Sequence, residues 1–185
     1  MEREDQRQIF HILIGVCSII WLYIFGRKAL MIADFIVIII GLILINFRVR
    51  GKKIGLVGYF EEKFERPNAV FPGWGSATYA AGVLIATTML NSKEEIAAVI
   101  AILAFGDSFS TIIGIRGKRI LWWNKNKTLE GTISFFIFGS IAAIPFIGIN
   151  GIIASAILAV IESIKTEIDD NILIPLLAST ILLVI

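Results

Sequence analysis

Asp107 is the residue of this 185-residue chain whose position most strongly indicates chemistry, because it lies in the middle of an apolar segment. An ionisable side chain is costly to bury in hydrocarbon, so its presence inside an apolar run is by default a sign of function. Ser110, Thr111 and Gly114 follow it at spacings that share one face of a helix. One carboxylate on a face of small polar residues predicts the wall of a wet cavity. For the hydroxyl groups alone, packing between neighbouring helices is the favoured alternative.

A second candidate region is the loop at residues 115–131, which carries five Lys or Arg residues, two glycines and a Trp pair. Backbone N–H groups at the start of a helix, with lysines nearby, suit a phosphate group. In that setting Glu130 would be a metal ligand or a cap stabilised by the helix dipole. An ordinary basic loop with interfacial tryptophans is an equally good interpretation of the composition.

A third candidate region begins at Glu162, which lies within an apolar run. Thr166 and Asp169 follow it at i+4 and i+7, and Asp170 and Asn171 open the next apolar segment. Oxygen ligands grouped in this way suit Mg²⁺, which binds one or two carboxylates together with substrate phosphates. For the two adjacent aspartates, a solvated acidic turn is the alternative.

The elements that position these residues are predicted to be membrane helices. Apolar residues make up 57% of the chain and charged residues 17%, a balance that excludes a soluble domain of this size. The net charge of +2 is too small for a nucleic-acid-binding protein. About 20 apolar residues cross the hydrocarbon, and seven segments qualify: 9–26, 29–47, 74–90, 96–115, 131–149, 151–168 and 171–185. We therefore predict an all-α, polytopic helix bundle with a single domain over residues 1–185 and no cleavable signal peptide.

The distribution of positive charge predicts the orientation of these seven spans. Fourteen of the 17 Lys and Arg residues fall in the amino-terminal tail and in the loops after spans two, four and six. Positively charged loops stay in the cytoplasm, so the amino terminus is predicted to be cytoplasmic. All three candidate regions then lie at the cytoplasmic side, where a basic loop and carboxylates sharing one cavity would suit phosphoryl transfer. No P-loop, dinucleotide-binding or zinc-protease motif is present.

Three sequence segments together resemble the CTP-dependent lipid kinases and the related phosphatidate cytidylyltransferases. These are Gly106-Asp107-Ser108, Gly114-Ile115-Arg116-Gly117-Lys118 and Asn126-Lys127-Thr128-Leu129-Glu130-Gly131. The cytidylyltransferases carry a downstream histidine-containing segment, and this chain has no histidine after His11. The ending with Glu162, Asp169-Asp170-Asn171 and Pro175 instead resembles the dolichol, phytol and diacylglycerol kinases. Arg7 and His11 resemble the start of those kinases, and the segment from Arg66 to Gly82 their middle.

The resemblance implies transfer of the γ-phosphoryl group of CTP to the hydroxyl of a membrane alcohol, with Mg²⁺ or another divalent cation and release of CDP. Dolichol or polyprenol is the expected acceptor, followed by phytol, geranylgeraniol and diacylglycerol. It also implies roles for individual residues. Asp107, Lys127 and Glu130 would be catalytic, and Asp107, Glu162, Asp169 and Asp170 would bind the metal. Nucleotide or phosphate would contact Arg116, Gly117, Lys118, Asn126, Thr128, Gly131 and Asn171, and Arg7, His11, Arg66 and Ser108 are further matching positions.

Two other functions are compatible with the sequence. A cytidylyltransferase would make a CDP-activated lipid and release pyrophosphate instead of CDP. A small transporter or scaffold would use Asp107 and Glu162 for ion coupling, but it would give the Lys127–Gly131 segment no role. The expected location is the cell membrane, or the endoplasmic reticulum in a eukaryote. The expected partners are CTP, a membrane lipid alcohol and the bilayer, but no nucleic acid, and a homo-oligomer is compatible with the sequence.

Overall fold

Every regular element that the structure describes is helical. The structure, a computed structural model, describes residues 2–51, 55 and 73–185. The helices are α1 (Glu2–Phe25), α2 (Arg27–Val49), α3 (Trp74–Met89), α4 (Lys93–Ala101), α5 (Ser108–Gly114), α6 (Leu129–Ile147), α7 (Ile149–Glu162) and α8 (Asp170–Leu182). A π-helical segment, Ile102–Asp107, joins α4 to α5, so that residues 93–114 form one continuous rod. The prediction of an all-α helix bundle is confirmed.

When the rod at residues 93–114 is taken as one helix, the helices lie at the seven positions that the apolar runs predict. Four of them are long and apolar enough to cross a membrane: Glu4–Phe25, Arg27–Phe47, Lys93–Gly114 and Leu129–Ile147. The other three are α3, α7 and α8, with 16, 14 and 13 residues, below the roughly 17 residues that span hydrocarbon without tilt or thinning. The chain is therefore a multi-pass membrane protein by helix length and composition, and the count of seven spans stays a prediction.

The end of α7 differs from the predicted span at 151–168. The helix ends at Glu162, and residues 163–169 form turns before α8 begins. At this boundary the Ser163 hydroxyl donates to the backbone carbonyl of Val160 (2.6 Å) and accepts from the indole of Trp123 (3.2 Å). Such local bonds compete with continued helix formation. As a result, Glu162 is the last residue of a helix instead of a residue in its middle.

The rod at residues 93–114 forms the centre of the bundle. Within an apolar stretch of 18 residues in this rod, 72% is buried inside the protein, compared with 17% for the same length of α1 and 11% for α2. The two amino-terminal helices consequently present most of their apolar side chains outward, as helices in contact with lipid do. Of the four long apolar helices, the rod at residues 93–114 has the largest buried share, and it holds Asp107 in position inside the bundle.

A close contact between α3 and α8 fixes the start of α8. An added Cβ at Gly82 would lie 2.0 Å from the carbonyl oxygen of Asn171 and 2.9 Å from the ring of Pro175. Only glycine permits this separation, because every other residue would place a methyl group in the same volume. The contact fixes the position of Asn171 along the axis of α3.

Candidate active site

Three carboxylates from separate parts of the sequence meet at one end of the bundle. Asp107 ends the π-helical segment, Glu162 ends α7, and Asp170 begins α8. One carboxylate oxygen from each lies within 4.8 Å of the others. Asp107 and Glu162 are buried, with 5% and 2% of their surfaces exposed. We refer to these three residues together with Lys127 as the carboxylate centre.

Lys127 provides the positive charge of the carboxylate centre. Its Nζ forms an ion pair with Glu162 Oε1 and lies 3.6 Å from Asp170 Oδ2. Desolvation lowers the pKa of Lys127, but the charges of Glu162, Asp170 and Asp107 raise it by more, so the pKa lies above its usual value. Lys127 is therefore an ammonium ion at neutral pH. With all three carboxylates ionised, one ammonium would leave two negative charges uncompensated.

The three carboxylates of the centre are spaced as ligands that could hold a metal ion. Glu162 Oε1 accepts from Lys127 and from the hydroxyl of Ser110 (3.0 Å). Its other oxygen, Oε2, is buried and has no hydrogen-bond partner among the residues that the structure describes. A buried carboxylate oxygen of this kind is normally satisfied by a ligand, an ion or water. Hard oxygen donors with excess negative charge suit Mg²⁺.

The position of Asp107 depends on an irregularity in the central rod. Ile102–Asp107 adopts π-helical geometry, which in other proteins often occurs at functional sites. Within it, Gly106 faces the ring of Phe135, and an added Cβ would lie 3.3 Å from that ring. The wider π turn and the glycine together allow α6 to pack against the rod while Asp107 remains at the carboxylate centre.

The basic loop is fixed at the start of α6 by two side chains. The Glu130 carboxylate accepts from the backbone N–H groups of Lys118 and Arg119, at distances between 3.1 and 3.3 Å. Thr128 is the N-cap of α6: its hydroxyl accepts from Gly131 N–H (3.3 Å) and donates to the carbonyl of Gly114 (3.0 Å). Thr128, and not Glu130, is therefore the residue that caps α6. The Glu130 carboxylate holds the loop and is not one of the three that meet at the centre.

Three glycines let the loop and the two helices approach closely. An added Cβ at Gly131 would lie 3.0 Å from the carbonyl of Ser110, and one at Gly114 would lie 3.4 Å from the Cα of Gly131. At Gly117 it would lie 2.6 Å from the Thr128 hydroxyl and 2.8 Å from Glu130. The glycines predicted as phosphate contacts therefore have a packing role that the structure shows directly.

At the start of α8, Asp169 and Asn171 have different partners from Asp170. Asp169 is the N-cap of α8, and it accepts from Asn171 N–H (3.0 Å) and from the indole of Trp74 (3.0 Å). The Asn171 amide donates to the Thr78 hydroxyl (3.2 Å). Of the four predicted metal ligands, the structure thus brings together three, and Asp169 caps the helix that carries Asp170.

The remaining predicted residues lie around the centre. Arg116 pairs with Asp5 at 2.5 Å and connects the end of α5 to α1. Arg7 pairs with Glu4, the His11 ring packs edge-on to Tyr79 with centroids 4.9 Å apart, and Ser108 donates to the backbone of Gln8 (3.3 Å). The side chains of Lys118 and Asn126 are exposed. Arg66 lies outside the described residues.

Asn124 supports the site although the sequence does not predict a role for it. The Asn124 amide donates to the carbonyl of Ser163 (3.1 Å), and its oxygen accepts from Asn126 N–H (3.1 Å). This bridge ties the basic loop to the end of α7, next to Glu162. Nothing in the local sequence distinguishes Asn124 from a solvated loop residue. Asp34 could have been noticed from the sequence, because a carboxylate inside the second apolar run is itself a sign of function.

The fold and the site together define a multi-pass membrane protein with a largely buried carboxylate centre at one end of its helix bundle. The chain is 35% identical over 183 residues to uncharacterized protein MJ1137 of Methanocaldococcus jannaschii, an alignment that covers 97% of this chain and 93% of that protein. At that identity and coverage, the chain belongs to the same family as MJ1137. No protein-family model matches the chain, and no solved structure is significantly similar to it.

More distant relatives come from plants. The probable phytol kinase 3 of Glycine max, a chloroplastic protein, is 26% identical over 203 residues, which cover 95% of this chain. The probable phytol kinase 2 of Oryza sativa subsp. japonica, also chloroplastic, is 30% identical over 121 residues, or 55% of this chain. The alignments span 61% and 40% of the plant proteins. These similarities support the lipid-alcohol kinase branch of the resemblance.

Proposed function

We propose that the protein is a lipid-alcohol kinase that transfers the γ-phosphoryl group of CTP to the hydroxyl of a membrane isoprenoid alcohol and releases CDP. The observation that carries the proposal is the carboxylate centre: three carboxylates and one ammonium group, mostly buried at the ends of membrane helices. The phytol kinase names of the plant relatives support an isoprenoid alcohol as acceptor. Phytol and geranylgeraniol are therefore candidates beside dolichol and polyprenol.

The groups of the carboxylate centre suit both substrates of this reaction, the nucleotide and the alcohol. Phosphoryl transfer depends mainly on positioning and on stabilising the charge of the transferred group. In the proposed mechanism, Lys127 moves from Glu162 to the γ-phosphate oxygens when the nucleotide binds. Asp107 accepts the proton of the lipid hydroxyl as its oxygen attacks the γ-phosphorus. The bond from that phosphorus to the β–γ bridging oxygen breaks, and CDP leaves with the electron pair.

A divalent cation fits the same centre, for the reasons of charge and donor chemistry given above. Asp107, Glu162 and Asp170 would hold it, and it would supply neutralisation of the triphosphate charge. Bound there, it would satisfy Glu162 Oε2. By the distribution of positive charge, we place this centre at the cytoplasmic side of the membrane, where CTP is available.

The basic loop has a supporting role in the proposal. Its backbone is fixed by Glu130 and Thr128 at the start of α6. Lys118 has an exposed side chain on this loop and would contact the outer phosphates. Arg116 would act on the loop indirectly through its ion pair with Asp5.

Two position-specific labels of CTP test the proposal. Purified protein in nanodiscs is incubated with CTP labelled in either the α- or the γ-phosphate, Mg²⁺, and separate preparations of phytol, geranylgeraniol, dolichol, polyprenol and diacylglycerol. A kinase transfers only the γ label to the lipid and forms CDP. Transfer of the α label to a lipid phosphate supplied in a parallel reaction, with the β- and γ-phosphates of CTP leaving as pyrophosphate, would instead establish a cytidylyltransferase. Parallel reactions with ATP, GTP and UTP measure donor selectivity.

A further inference from the structure

A cavity of about 610 Å³ lies between α1, α2 and α3 and reaches the first turn of α8. Most of its walls are apolar. Along α1 it extends from Arg7 to Trp21, a separation of 14 residues or about 21 Å at the helical rise. At one end it is lined by Arg7, Ser76 and Asn171, which are polar. We refer to this space as the α1–α2 cavity.

The polar end of the α1–α2 cavity adjoins the carboxylate centre. Asn171 lines the cavity and directly follows Asp170 in the chain. Its position is fixed by the hydrogen bond to Thr78 and by the contact of its backbone with Gly82. A molecule in the cavity with its polar group at Asn171 would therefore present that group next to Asp170.

The cavity also opens toward the lipid-facing side of α1 and α2. Three of its lining side chains are large and apolar and yet remain exposed: Leu13 at 56%, Trp21 at 43% and Val37 at 50%. In a membrane, exposed side chains on these two helices contact lipid instead of water. The cavity is consequently accessible from within the bilayer, without passage through the aqueous phase.

Asp34 brings a carboxyl group into a cavity lining that also includes the polar side chains of His11, Ser18 and Tyr79. It is 8% exposed and lines the cavity, and its Oδ2 atom is buried without a hydrogen-bond partner among the described residues. A buried polar atom of this kind points to a hydrogen-bonding ligand or water. An alkyl chain of a neighbouring phospholipid offers no such bond and would leave Oδ2 unsatisfied. A lipid with a hydroxyl group can satisfy it.

We propose that the α1–α2 cavity is the entry and binding site of the acceptor lipid, a long-chain alcohol. The alcohol enters laterally between α1 and α2, and its hydroxyl donates to Asp34. The hydroxyl then moves to the Asn171 end beside the carboxylate centre, and the hydrocarbon chain occupies the apolar part of the cavity. Asp34 thereby favours alcohols over the far more abundant alkyl chains of the bilayer. This inference rests on the proposed function for the identity of the lipid.

Photolabelling tests the site without requiring catalysis. Protein in nanodiscs is exposed to an isoprenoid alcohol that carries a diazirine on its chain, and the labelled peptides are identified by mass spectrometry. We expect labels on the stretches of α1 and α2 that line the cavity. Ala33→Trp fills the cavity and should reduce labelling about tenfold, because an overpacked site excludes the chain. Leu42→Trp adds the same side chain at an exposed position on the opposite face of α2 and should leave labelling unchanged.

A catalytically impaired variant separates this inference from the proposed function. Asp107→Asn is expected to lose phosphate transfer but to keep the labelling pattern. Cavity labelling in a protein that phosphorylates no alcohol would support the lipid site and contradict the kinase. Equal labelling of Ala33→Trp and wild type, with both folded by size-exclusion chromatography, would overturn the inference. Labels confined to helices other than α1, α2 and α3 would overturn it as well.

Discussion

Two regions of this membrane protein bury carboxylates, and they differ in how the negative charge is compensated. At the carboxylate centre, Asp107, Glu162 and Asp170 surround the ammonium group of Lys127. In the α1–α2 cavity, Asp34 lies among apolar walls, with one oxygen lacking a partner among the described residues. The first arrangement suits ions: a triphosphate and a cation can exchange partners within it. The second suits a neutral ligand that brings a single hydrogen bond.

Under the proposed function, one end of the bundle would serve a charged and an apolar substrate together. The carboxylate centre uses residues at helix ends, next to a loop that supplies the ammonium group of Lys127. The α1–α2 cavity uses the two least buried helices, which are open to lipid. Asn171 belongs to both, because it lines the cavity and follows Asp170. If the two regions are as separate in function as in chemistry, a substitution in one should leave the substrate of the other unaffected.

The largest effect is expected from removal of the ammonium group. Lys127→Met keeps much of the apolar stem but leaves Glu162 and Asp170 without their cation. Loss of a cation that stabilises the transferred phosphoryl group lowers the turnover number by about 10³-fold or more. Lys125→Met, on the same loop with an exposed side chain, is the matched control and should retain nearly full activity. Similar kinetics for both variants would exclude Lys127 from the reaction.

A comparison of Glu162→Gln with Glu130→Ala tests which carboxylates bind the metal. Glu162 lies in the carboxylate centre, so its change should raise the Mg²⁺ concentration needed for half-maximal activity by about tenfold. Glu130 holds the loop backbone, so its change should raise the KM for CTP and leave the Mg²⁺ requirement unaltered. Titrations of Mg²⁺ and CTP on both variants measure the difference. A shifted Mg²⁺ requirement for Glu130→Ala would assign that residue to the metal instead.

The sequence alone predicts the positions of the helices and the residues of the carboxylate centre. Apolar runs must be helices in a bilayer, and Asp107 and Glu162 stand out because ionisable groups in such runs are costly. The same rule applies to Asp34, which lies inside the second apolar run. The π-helical segment and the end of α7 depend on contacts with Phe135, Trp123 and Asn124. Those contacts join residues far apart in sequence, so no local pattern predicts them.

Asn171 joins the α1–α2 cavity to the carboxylate centre, and Gly82→Ala tests whether its position depends on the close contact of α3 and α8. The added methyl group would meet the carbonyl of Asn171, and overpacking of this kind costs about 1–3 kcal/mol of stability. We expect a lower Tm in detergent, with weaker binding of both CTP and alcohol. Gly41→Ala in α2 is the control, since an added Cβ there meets nothing within 4 Å. An unchanged Tm for Gly82→Ala would show that α8 can shift without affecting the site.

The smallest effect, and the one most specific to the α1–α2 cavity, is expected from Asp34. Asp34→Leu removes the acceptor for the entering hydroxyl, so the KM for the alcohol should rise about three- to tenfold, as for loss of one hydrogen bond. The KM for CTP and the turnover number should change little, because the carboxylate centre is intact. Asp34→Asn keeps an oxygen acceptor without the negative charge and should lie close to wild type. A lower KM for the alcohol in Asp34→Leu would mean that Asp34 hinders the hydrocarbon chain instead of receiving the hydroxyl. In that case the α1–α2 cavity would select its lipid by chain alone.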